Sequence, residues 1–287
     1  MVTPSTLDCD SLDKPEVLRV LFHPRKDTGS PPPANAVDYD VAVEPHISLG
    51  ARFYLADPRA ANILFFHGNG EIVEDYDPVG PVFNRFGLSF LAVDYRGYGR
   101  SGGMPKVSTL FPDAHAVIED VRAWLRREQR TGPLIVMGRS LGSTCALELA
   151  SVYDDDISGL IIESGFAQTL PLLRCLGIDT GLHGICEEGG FCNLEKIERY
   201  TKPTLILHGQ HDQIIPIRSA ELLQVHAGAR GKEFHMIPGA DHNTVLLEAG
   251  NTYFQLIRNF IDKIENKKPV RRSFKQRRMD RAKKNSL

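Results

Sequence analysis

The chain has 287 residues, of which 42% are apolar and 24% are charged, a balance typical of a globular protein that buries a full core. This composition excludes a collagen-like, coiled-coil or wholly disordered chain. The longest apolar runs are strand-sized, far below the roughly 20 residues of a membrane span, so we expect no transmembrane helix. Because the first residues contain acids and a proline instead of a basic start and an apolar run, we predict no signal peptide and a cytoplasmic location.

The formal net charge of -2 conceals two parts of opposite charge. Residues 267–287 contain ten Lys or Arg and one acid, which gives this tail +9 and leaves -11 for the other 266 residues. The five cysteines include no CxxC pair, so they favour reduced thiols over a disulfide framework or a zinc site.

In chain order, the predicted elements begin after a segment of low regularity. Residues 1–36 are rich in Pro, Asp and Ser, and we predict a loosely structured lead-in or edge segment there. Tyr39–Val43 and Arg52–Leu55 then predict two antiparallel strands. Several short, continuously apolar runs follow, as expected of strands that are covered on both faces. These runs are Ile63–Phe66, Leu88–Val93, Leu134–Met137, Leu160–Ile162, Thr204–Leu207 and Phe234–Ile237.

Helical patterns alternate with these strands. Apolar residues from Leu110 to Leu125 and from Leu246 to Ile264 recur at the three-four spacing of one helix face. The alternation predicts one α/β domain over 37–265, with a mostly parallel central sheet flanked by helices. Residues 167–201, which contain glycines and cysteines, interrupt the alternation, and we interpret them as a short cap or lid. Residues 266–287 are predicted to form a disordered basic tail.

The strongest motif is Gly138-Arg139-Ser140-Leu141-Gly142, between a predicted strand and the helical pattern Ser143–Tyr153. A sharp strand-to-helix turn holds its central serine in a strained conformation with the hydroxyl exposed, and the flanking glycines let neighbouring backbone approach. G-x-S-x-G alone arises easily by chance, so its value lies in this strand and helix context. We interpret it as a nucleophile elbow.

A serine hydroxyl becomes a good nucleophile only when a base takes its proton and an acid orients that base. Asp212 follows the strand Thr204–Leu207, and His242 follows the strand Phe234–Ile237. The chain order Ser, Asp, His and the positions beyond strand ends are those that the elbow fold requires. We therefore predict that Ser140, Asp212 and His242 form a catalytic triad.

Other residues compete for these roles. His208 and His211 are alternative bases, although both lie on the loop expected to present the acid. Asp241 is an alternative acid, although sequence neighbours on a tight loop usually point apart. Glu163 ends a strand and is another alternative acid.

Acyl transfer also requires donors for the oxyanion that develops on the carbonyl oxygen. His67-Gly68-Asn69-Gly70 directly follows a predicted strand, and its glycines allow backbone amides to turn toward the site. We predict that the N–H groups of Asn69 and Leu141 form this oxyanion hole. For His67 we favour a structural role that braces the turn over a direct catalytic one.

One further motif points to another chemistry. Gly97–Gly102 reads G-x-G-x-x-G after a strand, which is the pattern of a dinucleotide-binding turn. That pattern binds a pyrophosphate only when a helix begins at once, and here Gly103, Pro105 and Pro112 interrupt the segment, with the next helix expected near Leu110. We therefore favour a loop near the site over a nucleotide site.

Together these motifs resemble the α/β-hydrolase-fold serine hydrolases, over residues 37–265. The resemblance is carried by the elbow, by the ordered His-Gly, Asp and His motifs, and by Asp94–Gly99 with Ser101, which matches the family's Asp-Tyr-Arg-Gly-Tyr-Gly and Ser pattern. The His-Gly-Asn-Gly start and the short cap most resemble the depalmitoylases and monoacylglycerol-lipase-like esterases. Asp241 departs from the family, whose members often have Gly before the histidine.

These features predict a serine hydrolase that cleaves carboxylic esters or thioesters through an acyl-enzyme, with no metal or organic cofactor. Its partner would be a small-molecule or lipid acyl substrate. A serine peptidase of the same fold and a catalytically silent scaffold protein remain alternatives. For the basic tail two interpretations stay open: a solvated extension, or electrostatic attachment to an anionic membrane surface or nucleic acid. The acidic body argues against specific nucleic-acid recognition by the whole protein.

Overall fold

A computed structural model of the protein describes residues 10–266, with only the backbone of Asp10. The first nine residues of the predicted lead-in, Cys9 among them, and the basic tail from residue 267 onward lie outside the described residues. In the described part of the chain, the other four cysteines are free thiols.

The described strands form one eight-stranded sheet in the order β1-β2-β4-β3-β5-β6-β7-β8. β1 and β2 pair antiparallel, β2 pairs antiparallel with β4, and every pairing from β4 through β8 is parallel. The mostly parallel α/β sheet predicted from the sequence is confirmed. The strands are β1 Ala36–Glu44, β2 Ile47–Tyr54, β3 Ala61–Phe66, β4 Leu88–Val93, β5 Leu134–Arg139, β6 Gly159–Glu163, β7 Thr204–Gly209 and β8 Lys232–Ile237.

Helices cover both faces of this sheet. The α-helices of the described residues are α1 Pro15–Leu21, α2 Gly80–Arg85, α3 Val107–Arg127, α4 Gly142–Val152, α5 Thr169–Cys175, α6 Asn193–Arg199, α7 Arg218–His226, α8 Val245–Ala249 and α9 Asn251–Ile264. Short 3-10 turns lie at Asp10–Leu12 and Val73–Tyr76. Helices α5 and α6 belong to the segment between β6 and β7 that we interpret as a cap.

Two apolar cores lie on opposite faces of the sheet because side chains alternate along each strand. In β3, Leu64 and Phe66 pack in the core that contains α1, α3 and α4. Ile63 and Phe65 pack in the other core, together with residues of α2 and α9. Because β3 to β8 run parallel, their carboxyl ends lie at one common edge of the sheet, and the loops that follow β3, β5, β7 and β8 meet there.

The lead-in differs from the prediction of a loosely structured segment. Pro15 stands at the first position of helix α1, where a missing N–H costs nothing. Val17 and Leu21 are buried in the core, so this short helix is anchored by packing. The polar composition of the segment concealed these few apolar anchors.

The boundaries of two helices also differ from those predicted from the sequence. Helix α3 begins at Val107 and contains Pro112, which was expected to interrupt it. Pro112 is the sixth residue of this helix, where a proline removes one backbone hydrogen bond, and the helix continues through it. The stripe from Leu246 to Ile264 is divided between α8 and α9 at Gly250, whose φ is +50°.

The glycine-rich segment after β4 forms a loop. The Gly97 N–H donates to the Gly102 carbonyl at 2.9 Å, and the next helix begins only at Val107. Within residues 10–266, no helix combines the length and the apolar character needed to cross a membrane.

Candidate active site

The elbow joins β5, which ends at Arg139, to α4, which begins at Gly142. Ser140 lies between them with a φ of +50°, a strained left-handed conformation for a residue with a side chain. A Cβ on Gly138 would lie 2.2 Å from the Gly142 carbonyl oxygen, and one on Gly142 would lie 2.1 Å from the Phe66 carbonyl oxygen. Only glycine at these two positions allows the turn to pack against the sheet.

The side chains of Ser140, His242 and Asp212 are in direct contact at the sheet edge. His242 Nε2 lies 2.9 Å from Ser140 Oγ, and His242 Nδ1 lies 2.7 Å from Asp212 Oδ2. His242 and Asp212 are buried. A neutral imidazole that donates its Nδ1 proton to the carboxylate presents an unprotonated Nε2 to the serine hydroxyl.

Backbone groups hold the Asp212 carboxylate in place. Its Oδ1 accepts the N–H groups of Ile214 at 3.0 Å and Ile215 at 2.8 Å, which leaves Oδ2 for the imidazole. His208 lies below this loop with Nε2 2.7 Å from the Ile215 carbonyl oxygen and 3.5 Å from Asp212 Oδ2. Burial lowers the pKa of His208, so the ring is neutral at neutral pH. It supports the acid loop from beneath.

The alternative acids Asp241 and Glu163 and the alternative base His211 form hydrogen bonds with groups outside the Ser140–His242 pair. Asp241 is exposed, and its Oδ1 accepts the backbone N–H groups of Asn243 and Thr244, at 2.8 and 2.9 Å. The Glu163 carboxylate accepts the hydroxyl of Tyr253 at 2.5 Å. The exposed residue His211 donates its backbone N–H to the Ala240 carbonyl.

The two residues predicted to supply oxyanion donors, Asn69 and Leu141, line the same cavity as Ser140. Within the described residues, neither backbone N–H donates a hydrogen bond to a protein group. The fully buried His67 braces this turn, with Nδ1 2.8 Å from the Gly68 carbonyl oxygen and Nε2 3.1 Å from Asp94 Oδ1.

The cavity that opens over Ser140 has a volume of about 290 Å³. Aliphatic residues make up half of its lining and come from separate parts of the chain. Val20 and Leu21 belong to α1, Leu172 belongs to α5, and Ile214 and Ile215 belong to the acid loop. An apolar cavity beside a serine–histidine pair suits the binding of an uncharged organic group.

A family profile, Hydrolase_4, described as serine aminopeptidase S33, matches residues 57–176 and 183–249. The chain belongs to this family. It is an α/β hydrolase, as the sequence motifs predicted.

Relatives of this α/β hydrolase include Bem46 of Schizosaccharomyces pombe, 29% identical over 203 residues, which cover 69% of this chain and 66% of that protein. Human alpha/beta hydrolase domain-containing protein 17B is 29% identical over 222 residues, covering 74% of this chain and 70% of the relative. The chain therefore spans about two thirds of the length of Bem46.

Solved structures share the fold at low sequence identity. The Pyrococcus furiosus esterase Pf2001 superposes with a TM-score of 0.67 at 16% identity, covering 84% of this chain and 99% of the esterase. A soluble variant of the Saccharomyces cerevisiae monoglyceride lipase gives a TM-score of 0.64 at 18% identity, covering 85% of this chain and 98% of the lipase. These likenesses confirm the α/β-hydrolase fold.

A buried cation inside the elbow of this α/β hydrolase was not anticipated from the sequence. Arg139 Nη2 donates to the backbone carbonyl of His242 at 2.9 Å, and its Nη1 pairs with the Glu71 carboxylate. Its Nε lies 3.2 Å from Glu163 Oε1. The other oxygen of Glu71 accepts the N–H of Gly68 at 2.7 Å. Arg139 therefore connects the histidine loop to the loop that carries Asn69.

The two carboxyl groups beside Arg139 respond differently to this environment. Burial raises the pKa of Glu163, although Arg139 and the Tyr253 hydroxyl oppose that effect. Burial is also the largest influence on Glu71, but the charge of Arg139, the charge of His67 and hydrogen bonds outweigh it and lower its pKa. Glu71 is therefore the firmly ionised partner of Arg139. In the sequence, a charged residue at the end of a buried strand indicates that Arg139 needs a partner, but it does not identify Glu71 as that partner.

Proposed function

We propose that the protein is a serine hydrolase that cleaves carboxylic ester or thioester bonds, with Ser140, His242 and Asp212 as its catalytic triad. One observation carries this proposal: Ser140 Oγ, the His242 imidazole and the Asp212 carboxylate lie within hydrogen-bond distance in that order, at 2.9 and 2.7 Å. Ser140 and His242 also line the cavity of about 290 Å³. Nucleophile, base and orienting acid in mutual contact are the arrangement that acyl transfer requires.

In the proposed reaction, His242 Nε2 takes the Ser140 proton while Ser140 Oγ attacks the substrate carbonyl carbon. Asp212 holds the imidazole in the tautomer with a proton on Nδ1 and stabilises the imidazolium that forms. His242 then protonates the leaving alcohol or thiol, and the acyl group remains as an ester on Ser140. Water, deprotonated by the same imidazole, hydrolyses that ester and returns the serine.

The developing oxyanion would accept hydrogen bonds from the N–H groups of Asn69 and Leu141. Their position on the cavity wall beside Ser140 supports this role. Each such donor contributes about 3 kcal/mol in serine hydrolases where it has been removed.

The substrate class follows from the cavity and from the relatives. Its aliphatic walls suit an apolar acyl group, and the similar solved structures include an esterase and a monoglyceride lipase. The family description names serine aminopeptidases, so amide cleavage is the second candidate. We favour esters and thioesters because the cavity walls offer no anionic side chain to bind a free amino group, as judged over residues 10–266.

Labelling with a fluorophosphonate probe tests the nucleophile. We expect the wild-type protein to be labelled and Ser140→Ala to lose labelling, with ester hydrolysis reduced at least about 10³-fold. Ser158→Ala, at the amino end of β6, is the matched control and should react like the wild type. An unlabelled wild-type protein would identify a silent scaffold.

Substrates of equal acyl group but different leaving group separate the two reaction classes. The comparison uses a p-nitrophenyl ester, an N-acetylcysteamine thioester and aminoacyl p-nitroanilides. We expect turnover of the first two. Turnover of the anilides alone would contradict the proposal and assign a peptidase.

A further inference from the structure

A segment that precedes the family-matched residues crosses the cavity from the cap to the loop of Asn69. On the cap side, Ser11 Oγ donates to the Gly189 carbonyl at 3.2 Å. On the other side, Arg25 Nε donates to the Gly70 carbonyl at 2.8 Å. Helix α1 lies between these two attachments, and the family match begins only at residue 57.

The side chain of Asn69 forms hydrogen bonds with the backbone at the carboxyl end of α1. Its Oδ1 accepts the backbone N–H of His23 at 2.7 Å and the hydroxyl of Tyr98 at 2.8 Å. Its Nδ2 donates to the Val20 carbonyl at 3.3 Å and lies 2.7 Å from His23 Nδ1. The residue that presents one proposed oxyanion donor therefore also fixes the position of the helix.

Packing makes α1 a fixed wall. Val17 and Leu21 are buried in the core shared with α3 and α4. Val20 is half-buried and lines the cavity, as do Leu172 and Leu176 of the cap segment. The cavity is therefore bounded in part by residues of α1 and in part by residues of the cap segment.

We propose that α1 forms one wall of an acyl-binding pocket and that Val20 is a specificity-determining residue, which limits the length of the aliphatic acyl chain that the site accepts. This inference rests on the proposed function, because it assigns the cavity to the acyl group of the ester or thioester. An uncharged aliphatic chain is the group that matches walls of Val, Leu and Ile, since its burial there removes apolar surface from water.

The test measures kcat/KM for p-nitrophenyl acetate, butyrate, octanoate and palmitate with the full chain. Val20→Phe should lower the octanoate-to-acetate ratio by at least about tenfold, since one misplaced methylene alone changes selection by about 10- to 200-fold. Val20→Ala should move the ratio in the opposite direction. The octanoate-to-acetate ratio is the readout because an effect of the substitution that is common to both esters cancels in it.

Leu18→Ala is the matched control, because Leu18 lies on the same helix but packs against the core instead of the cavity. It should lower thermal stability and leave the chain-length ratio unchanged. A second measurement uses alkyl phosphonate inhibitors of graded length and follows the labelling rate of Ser140, which does not depend on turnover.

The outcomes separate the two proposals. Chain-length ratios that stay at the wild-type value in both Val20 variants, with acetate still hydrolysed, would overturn the role of α1 and leave the serine hydrolase intact. A wild-type protein that hydrolyses none of these esters and resists the phosphonates would overturn both. A Leu18→Ala ratio that shifts as much as the Val20 variants would assign the effect to general loosening of α1 and also overturn the specific role of Val20.

Discussion

The guanidinium of Arg139 links the histidine loop to the loop that carries Asn69. It donates to the His242 carbonyl and pairs with Glu71, which in turn accepts the Gly68 N–H. A side chain inside the elbow thus determines where the base and one proposed oxyanion donor lie relative to Ser140. Such positioning matters because a displacement of about 1 Å can cost on the order of a hundredfold in rate.

We predict that Arg139→Gln lowers kcat for ester hydrolysis by about tenfold to a hundredfold with little change in KM. The reason is that the amide cannot bond the His242 carbonyl and Glu71 together, while the apolar cavity walls stay in place. Arg139→Lys should recover only part of the rate, because an ammonium supplies the charge without the planar fork of donors. Steady-state kinetics measure both variants.

Thermal melting monitors whether these variants keep the fold. A rise in KM with unchanged kcat would assign Arg139 to substrate binding and contradict the positioning role.

The sequence could place Ser140, Asp212 and His242 at one sheet edge because each follows a predicted strand in a recognisable motif. Their role as a triad stays a prediction until the nucleophile is tested. The Arg139–Glu71 pair could not be predicted, because its partners are 68 positions apart and no local pattern relates them. Long-range pairs of this kind are set by packing alone.

At the scale of elements, the strands were predictable and the short helices were not. Continuous apolar runs identified the parallel strands β3 to β7, because both faces of each are covered. The edge strand β8 differs from the expectation, since most of its residues are only half-buried and Met236 is exposed. Helix α1 has only seven residues, of which few are buried and apolar, so its helical spacing could not be recognised within a polar segment. Helix formation there depends on tertiary packing more than on local propensity.

A buried ion pair joins α4, which starts at the elbow, to α6 of the cap segment. Lys196 Nζ lies 2.9 Å from Glu148 Oε2 and 3.5 Å from the centre of the Phe111 ring. His115 Nε2 of α3 lies 3.1 Å from the other oxygen of Glu148. Both charged side chains of the pair are almost fully buried, so the cost of removing either charge alone is high.

We predict that Lys196→Met lowers the free energy of unfolding by about 3 kcal/mol, because it removes a cation from beside a buried carboxylate. The double variant Lys196→Met with Glu148→Leu should recover much of that loss, since apolar groups then replace both charges. Urea unfolding measures the three proteins. A double variant no more stable than the single one would contradict this account, because it would show that the unpaired carboxylate of Glu148 is not the source of the loss.

For the whole molecule, the sheet order explains why the site lies at one edge. Parallel strands β3, β5, β7 and β8 deliver the Asn69 loop, the elbow, the acid loop and the histidine loop to the same end. The sequence predicted this edge because strand and helix alternate. It could not predict the cavity, whose walls depend on how α1 and the cap segment pack over that edge.

Stability of the whole protein should depend on pH through the buried residue His208. Burial lowers its pKa from the ordinary 6.5, and its Nδ1 has no hydrogen-bond partner within the described residues. Below about pH 6.5 the unfolded chain binds a proton at this residue that the folded protein resists, so the stability present above that pH is lost as pH falls toward the lowered pKa.

We predict that the melting temperature of the wild type falls more steeply between about pH 7 and pH 5 than that of His208→Gln. Glutamine can still donate a hydrogen bond to the Ile215 carbonyl, which His208 Nε2 approaches to 2.7 Å, but it does not titrate. His46→Gln is the control, because His46 is exposed in the turn between β1 and β2, and this variant should follow the wild type. If the melting temperatures of wild type and His208→Gln fall equally steeply with pH, another group governs the acid sensitivity of the fold.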